Sequence, residues 1–529
     1  MQEKRGQNYM HGAAILAAAA VIVKILGAVY KITLPNIIGN EGNGHFGIAY
    51  SIYNVLLTLS TAGLPIAVSR MISEADALNR RNQVQRIYSV AKISFCLLGA
   101  LGTAIMLFFP NALALYFHDP GAAKSIQTLA PSIFLVCLMS AYRGYTQGHS
   151  DMKLTSVSQV IEVLGKVIFG LMFAKIFLKY GVPEAAAGAI LGVTIGSALG
   201  CLYSAVYVKA LERGRNRRAQ YTDRPDSPGK ICKSLFSIAV PIVAGSSVLH
   251  ILNTIDTKLI MKLMQEKLGL GVDLTTALYG VYVNVQTLFN LPSAFIVPFT
   301  ISVIPAISAY AAQRKNKEAA AATHASMKMT TLLALPAGVG LSVLALPIMN
   351  VLYPESLAEG VGLLRILGIT SYFVCLSLIT NAVLQAYGHE RLPIFTILIG
   401  GIARICIDYA LIGNPKYGIY GAAVATLASD AIIAILNLVL VKIVVPRAPS
   451  YVSIFAMPAI CSAVMGVIAF ASYELLEKLT GSMLISMTLA IIIGVIIYFT
   501  AIIKTRTLAY EDIKLLPKGD KLAKLLKIR

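Results

Sequence analysis

Two lysines, Lys24 and Lys31, lie inside an apolar segment, residues 11–34, that is long enough to cross a membrane. A lone lysine at the centre of a bilayer costs about 2.5–3.5 kcal/mol, so both side chains require partners or a water-filled cavity. On an α-helix they project from nearly the same face, roughly 10 Å apart. No acidic residue lies within one turn of either lysine. We therefore predict an electropositive cavity that attracts an anion such as a phosphate, which lysine binds as a point charge. The alternative is that acids on other helices pair with the two lysines.

Two further pairs of charges lie inside apolar segments. Glu162 and Lys166 are one helical turn apart and can pair along their helix, and Arg404 and Asp408 have the same spacing with the charges reversed. The pairs either serve the substrate or only tie helices together, since paired charges in a membrane protein have both uses.

Polar residues in two more segments complete the candidate site. Asn253 and Asp256 precede Lys258 in one apolar segment, a set that suits either a coupling cation or pairing between lobes. Arg143 lies near the end of another segment, where it either gates a cavity or extends to the membrane interface. The predicted substrate-binding residues are Lys24, Lys31, Arg143, Gln147, Lys166 and Arg404. The predicted ion-coupling or interlobe-pairing residues are Asn253, Asp256, Glu162 and Asp408.

The composition is typical of a membrane protein. Of the 529 residues, 57% are hydrophobic and only 13% are charged. The seven cysteines show no paired short spacing, so neither a disulfide framework nor a metal site is predicted. Windows of about 20 residues predict an all-α polytopic fold. The fourteen predicted transmembrane helices are 11–34, 45–69, 88–109, 124–147, 157–179, 185–208, 234–261, 277–304, 327–352, 361–386, 392–412, 419–441, 451–473 and 483–503.

The net charge of +20 is explained by the distribution of lysine and arginine between these helices. Most of the basic residues outside the spans fall on one side of the membrane, together with both chain ends. The positive-inside rule makes that side the cytoplasm. The charge therefore requires no nucleic acid partner, and we expect a multi-pass protein of the cell membrane with both termini in the cytoplasm.

The order of residues indicates an internal repeat. Gln147, Lys153 and Lys166 recur at one constant offset as Gln385, Arg391 and Arg404. Helices 1–6 and 7–12 are therefore predicted to be parallel repeats that enclose a substrate site near the membrane midplane. The predicted domains are an N-lobe (1–208), a basic cytoplasmic linker (209–233), a C-lobe (234–445), two extra helices (446–503) and a basic tail (504–529).

Missing motifs argue against an enzyme. The sequence contains no phosphate-binding loop of the G-x-x-x-x-G-K-[ST] type, no HExxH motif and no soluble segment large enough for an ATPase. We therefore expect a transporter without a cofactor, driven by a monovalent cation gradient or by the membrane potential, which is worth about 2.3 kcal/mol per charge per 100 mV.

Several motifs together resemble the SpoVB/YtgP-type polysaccharide exporter family of the MOP flippase superfamily, to which MurJ-like lipid II flippases and multidrug extruders belong. They are Lys24-Ile25-Leu26-Gly27 with Lys31, Gly39-Asn40-Glu41-Gly42, the segment 63–70, Arg143-Gly144-Tyr145-Thr146-Gln147-Gly148 and Ser158-Gln159-Val160-Ile161-Glu162. The resemblance implies two six-helix lobes around a V-shaped cavity. It also implies flipping of undecaprenyl-diphosphate-linked saccharides, such as lipid II, to the outer leaflet for cell-wall, sporulation or polysaccharide synthesis. Helices 13 and 14 would then form a groove for the lipid tail.

The resemblance carries over to individual positions only in part. Lys24 falls where MurJ-like proteins have a cavity arginine, and Tyr30 falls at the next such arginine, with Lys31 beside it as a substitute. A third arginine position falls near Leu57, which is apolar.

Two other functions stay open. A cation-coupled drug exporter on the same fold would need an acidic cavity, and a non-transporting accessory would act on cell-wall synthesis proteins through the basic linker and tail.

Overall fold

The computed structural model describes residues 19–61, 63–216, 223–446 and 450–507, and in these ranges the chain is helical without strands. The basic tail from residue 508 onward and the start of the first predicted span lie outside the described residues. Apart from short 3-10 turns, the helices are α1 (residues 19–33), α2 (Pro35–Thr61), α3 (Leu64–Ala77), α4 (Arg81–Phe108), α5 (Pro110–Tyr116), α6 (Ala123–Gly148), α7 (Lys153–Phe177), α8 (Val182–Asn216), α9 (Pro228–Glu266), α10 (Val272–Phe289), α11 (Leu291–Ala312), α12 (Asn316–Val343), α13 (Ala345–Leu352), α14 (Leu357–Ala386), α15 (Leu392–Leu411), α16 (Ile419–Val444), α17 (Tyr451–Thr480) and α18 (Met483–Lys504).

Twelve stretches of the described chain are long and apolar enough to cross a membrane. They do not include α1 or α7, which correspond to the first and fifth predicted spans, so the predicted number of fourteen is not established. The prediction of an all-α polytopic membrane fold is confirmed.

Three predicted spans are broken rather than continuous: the ninth, 327–352, divides at Leu344 between α12 and α13, and two others divide next to a Leu-Pro pair. The second, 45–69, divides between α2 and α3, and the eighth, 277–304, divides at Asn290 between α10 and α11. A Leu-Pro pair follows each of these two breaks, Leu64-Pro65 in the first case and Leu291-Pro292 in the second. Proline at the start of a helix lacks an N–H and restricts the residue before it, so the new helix begins there.

The order of elements repeats along the chain. A long helix, a short helix, a 3-10 turn and a second long helix follow one another in α4, α5, Pro120–Ala122 and α6. The same series recurs in α12, α13, Pro354–Ser356 and α14. This recurrence matches the predicted two copies of one unit.

The chain forms two compact units, Met1–Gly280 and Val281–Arg529. We call them the first and the second unit. The predicted lobe boundaries at residues 208 and 234 stay predictions. Part of the predicted linker is held firmly in the first unit, because the Asp223 carboxylate accepts hydrogen bonds from the backbone N–H groups of Asn82 (2.9 Å) and Gln83 (3.0 Å). These donors have no partner within their own helix, so Asp223 caps the start of α4.

Glycines allow α7 and α8 to approach closely in the first unit. Gly188, Gly192, Gly196 and Gly200 recur every fourth residue and therefore line one face of α8. A Cβ atom on Gly196 would collide with the backbone oxygen of Glu162 and would lie 2.8 Å from the backbone nitrogen of Lys166. The position of α7, and with it the charged residues of the predicted site, depends on this contact.

Candidate functional site

The two lysines of α1 are both exposed in the described chain. Lys31 is close enough to Lys24 and Lys166 for their like charges to act on it. The structure records no ion pair for Lys24 or Lys166 within the described ranges. We call Lys24, Lys31 and Lys166 the lysine cluster. It brings together three residues that the sequence predicted for substrate binding.

Tyr30 anchors the helix that carries the first two lysines. Its side chain is completely buried, and its hydroxyl donates a hydrogen bond to the backbone oxygen of Ala189 on α8 at 3.1 Å. Gly170 on α7 provides the space, since a Cβ atom there would lie 2.8 Å from the tyrosine ring. The neighbouring Lys31, unlike Tyr30, is exposed.

Aromatic rings surround the ammonium group of Lys166. Its Nζ donates a hydrogen bond to the Tyr50 hydroxyl at 2.9 Å and lies 4.7 Å from the ring centres of both Tyr30 and Tyr50. Phe46, one turn before Tyr50 on α2, stacks on Tyr50 with ring centres 5.0 Å apart. Aromatic faces attract a cation without neutralising its charge. Lys166 is therefore held in one place as a cation and keeps its positive field.

Glu162 does not pair with Lys166 as the spacing allowed. Its carboxylate lies 3.2 Å from Nη2 of Arg143 on α6, and Arg143 Nε also donates to Ser158 Oγ at 3.0 Å. Both members of the pair are largely buried, with exposed fractions of 13% for Arg143 and 24% for Glu162. Glu162 is thus engaged by Arg143 and forms no recorded ion pair with Lys166 in the part of the chain that the structure describes.

Gln147 lies one turn beyond Arg143 and joins the same two helices. Its Nε2 donates to Thr155 Oγ1 on α7 at 3.0 Å. The side chain is half-buried. Its contact supports the α6–α7 connection, and its predicted role in substrate binding stays a prediction.

A different cluster surrounds Arg404 in the second unit. Arg404 Nη2 donates to the Tyr282 hydroxyl at 3.3 Å, and Tyr282 shares a hydrogen bond of 2.9 Å with Thr426 Oγ1. Arg404 Nε lies 3.9 Å from a carboxylate oxygen of the fully buried Asp408, which is ion-pair range but too long for a hydrogen bond. The charge of Arg404 also acts on Asp430. We call Arg404, Asp408 and Asp430 the arginine–aspartate cluster; it has one cation and two carboxyl groups.

The predicted residues on α9 differ in how far their side chains are exposed. Asp256 is buried with 3% of its surface exposed, whereas Asn253 is exposed. Lys258 lies over the ring of Tyr116, 3.5 Å from its centre. Their predicted part in ion coupling stays a prediction.

The sequence analysis missed two features of the first unit. One is the aromatic ring series Phe46, Tyr50 and Tyr53, whose signal is a spacing of four and three residues along a single helix face. The other is a buried pair, with His45 Nδ1 2.7 Å from a carboxylate oxygen of Asp119. No local pattern reveals that pair, because the two residues lie on different elements of the chain.

The sequence matches a known protein family and is similar to several known proteins. Residues 9–311 match the family described as "Polysaccharide biosynthesis protein". Stage V sporulation protein B of Bacillus subtilis is 26% identical over 483 residues, which cover 88% of this chain and 91% of that protein. The lipid II flippase MurJ of the same organism is 26% identical over 433 residues, covering 76% and 77%.

A solved structure shares the fold. The structure titled "Lipid II flippase MurJ, inward closed conformation" superposes with a TM-score of 0.71 over 93% of this chain and 99% of the other, at 18% sequence identity. At that identity the likeness concerns the fold alone.

Proposed function

This chain belongs to the polysaccharide biosynthesis protein family and is a multi-pass membrane flippase or exporter of the MOP superfamily; we propose that its cargo is a lipid-linked saccharide diphosphate. The cargo would move from the inner to the outer leaflet by alternating access. Two names support this proposal, since one relative is a lipid II flippase and another is a sporulation protein. Undecaprenyl diphosphate carrying a cell-wall saccharide is the corresponding substrate, and the transport leaves it chemically unchanged.

The lysine cluster is the observation that carries the proposal. Lys24 and Lys166 act on Lys31 as like charges, while Glu162, one turn before Lys166, is engaged by Arg143. Ammonium groups are costly in a membrane unless a partner or water offsets their charge. A diphosphate headgroup would offset that cost on binding, and the aromatic rings around Lys166 offer apolar faces to a saccharide or an isoprenoid.

The energy source belongs to the same proposal. A monovalent cation gradient or the membrane potential would drive transport, with both chain termini in the cytoplasm. A negative-inside potential favours the outward movement of an anionic headgroup, by about 2.3 kcal/mol per charge per 100 mV. Wall-synthesis proteins would accept the cargo on the outer face.

Complementation tests the proposal. In a strain depleted of its own lipid-linked saccharide flippase, the wild-type chain is expected to restore growth and Lys24→Gln/Lys31→Gln to fail. The matched control is Lys24→Arg/Lys31→Arg, which keeps both charges and should restore growth. Equal amounts of each protein in the membrane fraction show that insertion is intact. Normal growth with the glutamine variant would contradict the proposal.

A cation-coupled drug exporter is the second candidate. The two carboxyl groups of the arginine–aspartate cluster favour it, since an excess of acid suits a coupling cation. Expression in a drug-sensitive strain separates the candidates. Resistance to cationic drugs that is lost in Asp408→Asn, together with failure of the growth assay, would favour the exporter.

A further inference from the structure

A groove opens on the first unit between α4 and α8. Both helices pack on α6. The groove has a volume of about 650 Å³ and is lined by Gln85, Tyr88, Ser89, Lys92 and Cys96 from α4 and by Glu212 from α8. Its size is within the range of ligand-binding pockets, about 300–1,000 Å³.

The groove lies towards the end of the unit where α4 begins and α8 finishes. The segment after α8 is tied to the start of α4 through Asp223, and Gln83 Nε2 donates to the Asp226 carboxylate at 3.0 Å. Polar lining residues are therefore found near a helix end, where a lipid headgroup would lie in a membrane protein.

Apolar side chains of α4 line the groove beside the polar ones, and further apolar side chains are exposed along α8. Ile93 and Leu97 on α4 are 62% and 66% exposed, and Leu202 and Val206 on α8 are 63% and 62% exposed. In a membrane these exposed stripes contact acyl chains. The surface is thus polar at one end and apolar along two walls. A phospholipid has the matching arrangement, with a polar headgroup at one end and apolar acyl chains.

One cation and one anion line the polar part. Lys92 is exposed, with Nζ 5.7 Å from the ring centre of Tyr142 on α6. Glu212 is half-buried, and Lys92 acts on its charge. The two side chains form no ion pair with each other in the structure. Glu212 lines the groove beside Tyr88, and its charge also acts on the hydroxyls of Tyr88 and Tyr142.

We propose that this groove binds a membrane phospholipid with a primary ammonium headgroup, of the phosphatidylethanolamine class. Lys92 binds the phosphate, Glu212 binds the ammonium group, and the acyl chains lie along the apolar stripes of α4 and α8. Glu212 disfavours lipids with only negative headgroups, including a lipid-linked diphosphate, because like charges repel in a partly buried groove. The proposal does not depend on the cargo of the transporter.

Lipid binding to the purified full-length chain tests this assignment. The protein is delipidated in detergent and titrated with phosphatidylethanolamine or phosphatidylglycerol, and bound lipid is counted by native mass spectrometry. The wild type is expected to prefer phosphatidylethanolamine by about five-fold, the order expected for one partly exposed ion pair. Glu212→Gln should remove this preference, and Lys92→Gln should weaken the binding of both lipids.

Lys442→Gln is the matched control, since Lys442 is an exposed lysine in the last turn of α16 in the second unit. It should bind both lipids as the wild type does. Unchanged thermal unfolding of all three variants shows that the fold is intact. Equal binding of the two lipids by the wild type would overturn the proposal, as would an unchanged preference in Glu212→Gln. Displacement of phosphatidylethanolamine by undecaprenyl diphosphate at equal concentration would also overturn it.

Discussion

The two units place a cation at corresponding positions of the repeat but surround it differently. In the first unit, Lys166 bonds to the Tyr50 hydroxyl and lies among aromatic rings, and the nearby Glu162 is engaged by Arg143. In the second unit, Arg404 bonds to the Tyr282 hydroxyl and lies within ion-pair distance of Asp408, with Asp430 acting on it. In both units the cation donates a hydrogen bond to a tyrosine hydroxyl. The charged groups around it have an excess of positive charge in the first unit and an excess of carboxyl groups in the second.

This difference shows how a repeated scaffold acquires an asymmetric charge. Helix order and the position of the cation are retained, while the partners on adjacent helices decide whether the positive charge persists. Aromatic partners keep the charge, and carboxyl partners compensate it. The first unit is therefore suited to an anionic headgroup, and the second is suited to a structural or cation-linked role.

Removing Arg143 is expected to have the largest effect on stability. Arg143→Gln leaves the Glu162 carboxylate without its partner, at a cost of about 2–3 kcal/mol, somewhat below the range for fully buried pairs because both side chains keep some exposure. The midpoint of thermal unfolding in detergent measures the loss. Arg143→Gln/Glu162→Gln removes both charges and should recover most of it. If the double variant were as unstable as the single one, the ion pair would not be the source of the effect.

Disturbing the packing of α7 on α8 should have the second-largest effect on stability. Gly196→Ala forces a methyl group against the backbone of Glu162 and Lys166, at a cost of about 2 kcal/mol. Gly400→Ala is the counterpart in the second unit, where the added atom meets the Ile433 side chain first and the nearest backbone atom, the Ser429 oxygen, only at 3.2 Å; a side chain can move more easily than a backbone. We expect Gly196→Ala to reduce thermal stability and transport more than Gly400→Ala does. Equal losses would show that the first unit does not depend specifically on this close approach.

Removing a tyrosine hydroxyl next to either cation should have the smallest effect. Tyr50→Phe keeps the ring next to Lys166 but removes a hydrogen bond to a charged group, with an expected loss of about 1–2 kcal/mol in substrate affinity. Tyr282→Phe removes the corresponding bond to Arg404 and should leave substrate affinity within two-fold, about 0.4 kcal/mol. Binding of a labelled lipid-linked diphosphate to the purified variants measures both. A larger effect of Tyr282→Phe would reverse the assigned roles of the two units.

Much of the fold was accessible from the sequence because apolar length and repeated order are local properties. The boundaries of α6, α14, α16 and α18 lie close to the predicted spans. The breaks before Leu64 and Leu291 were missed, although the Leu-Pro pairs signal them. A hydropathy window averages over such breaks and cannot locate them.

Only the charged residues of the candidate site could be predicted from the sequence. An intramembrane lysine such as Lys166 is conspicuous in an apolar segment, but its partner is not encoded by neighbouring residues. The spacing favoured Glu162, whereas the structure supplies Tyr50 and gives Glu162 to Arg143 from another helix. Partner choice depends on how helices pack, which the glycines of α8 determine at positions distant in sequence.

Translocation in liposomes tests the central claim most directly. Purified protein is reconstituted with a labelled lipid-linked saccharide diphosphate, and its appearance in the opposite leaflet is followed with and without an imposed potential. The account predicts that Lys24→Gln/Lys31→Gln slows translocation at least ten-fold, about 1.4 kcal/mol, while Lys24→Arg/Lys31→Arg retains it. A glutamine variant that transports the diphosphate at the wild-type rate would contradict the account.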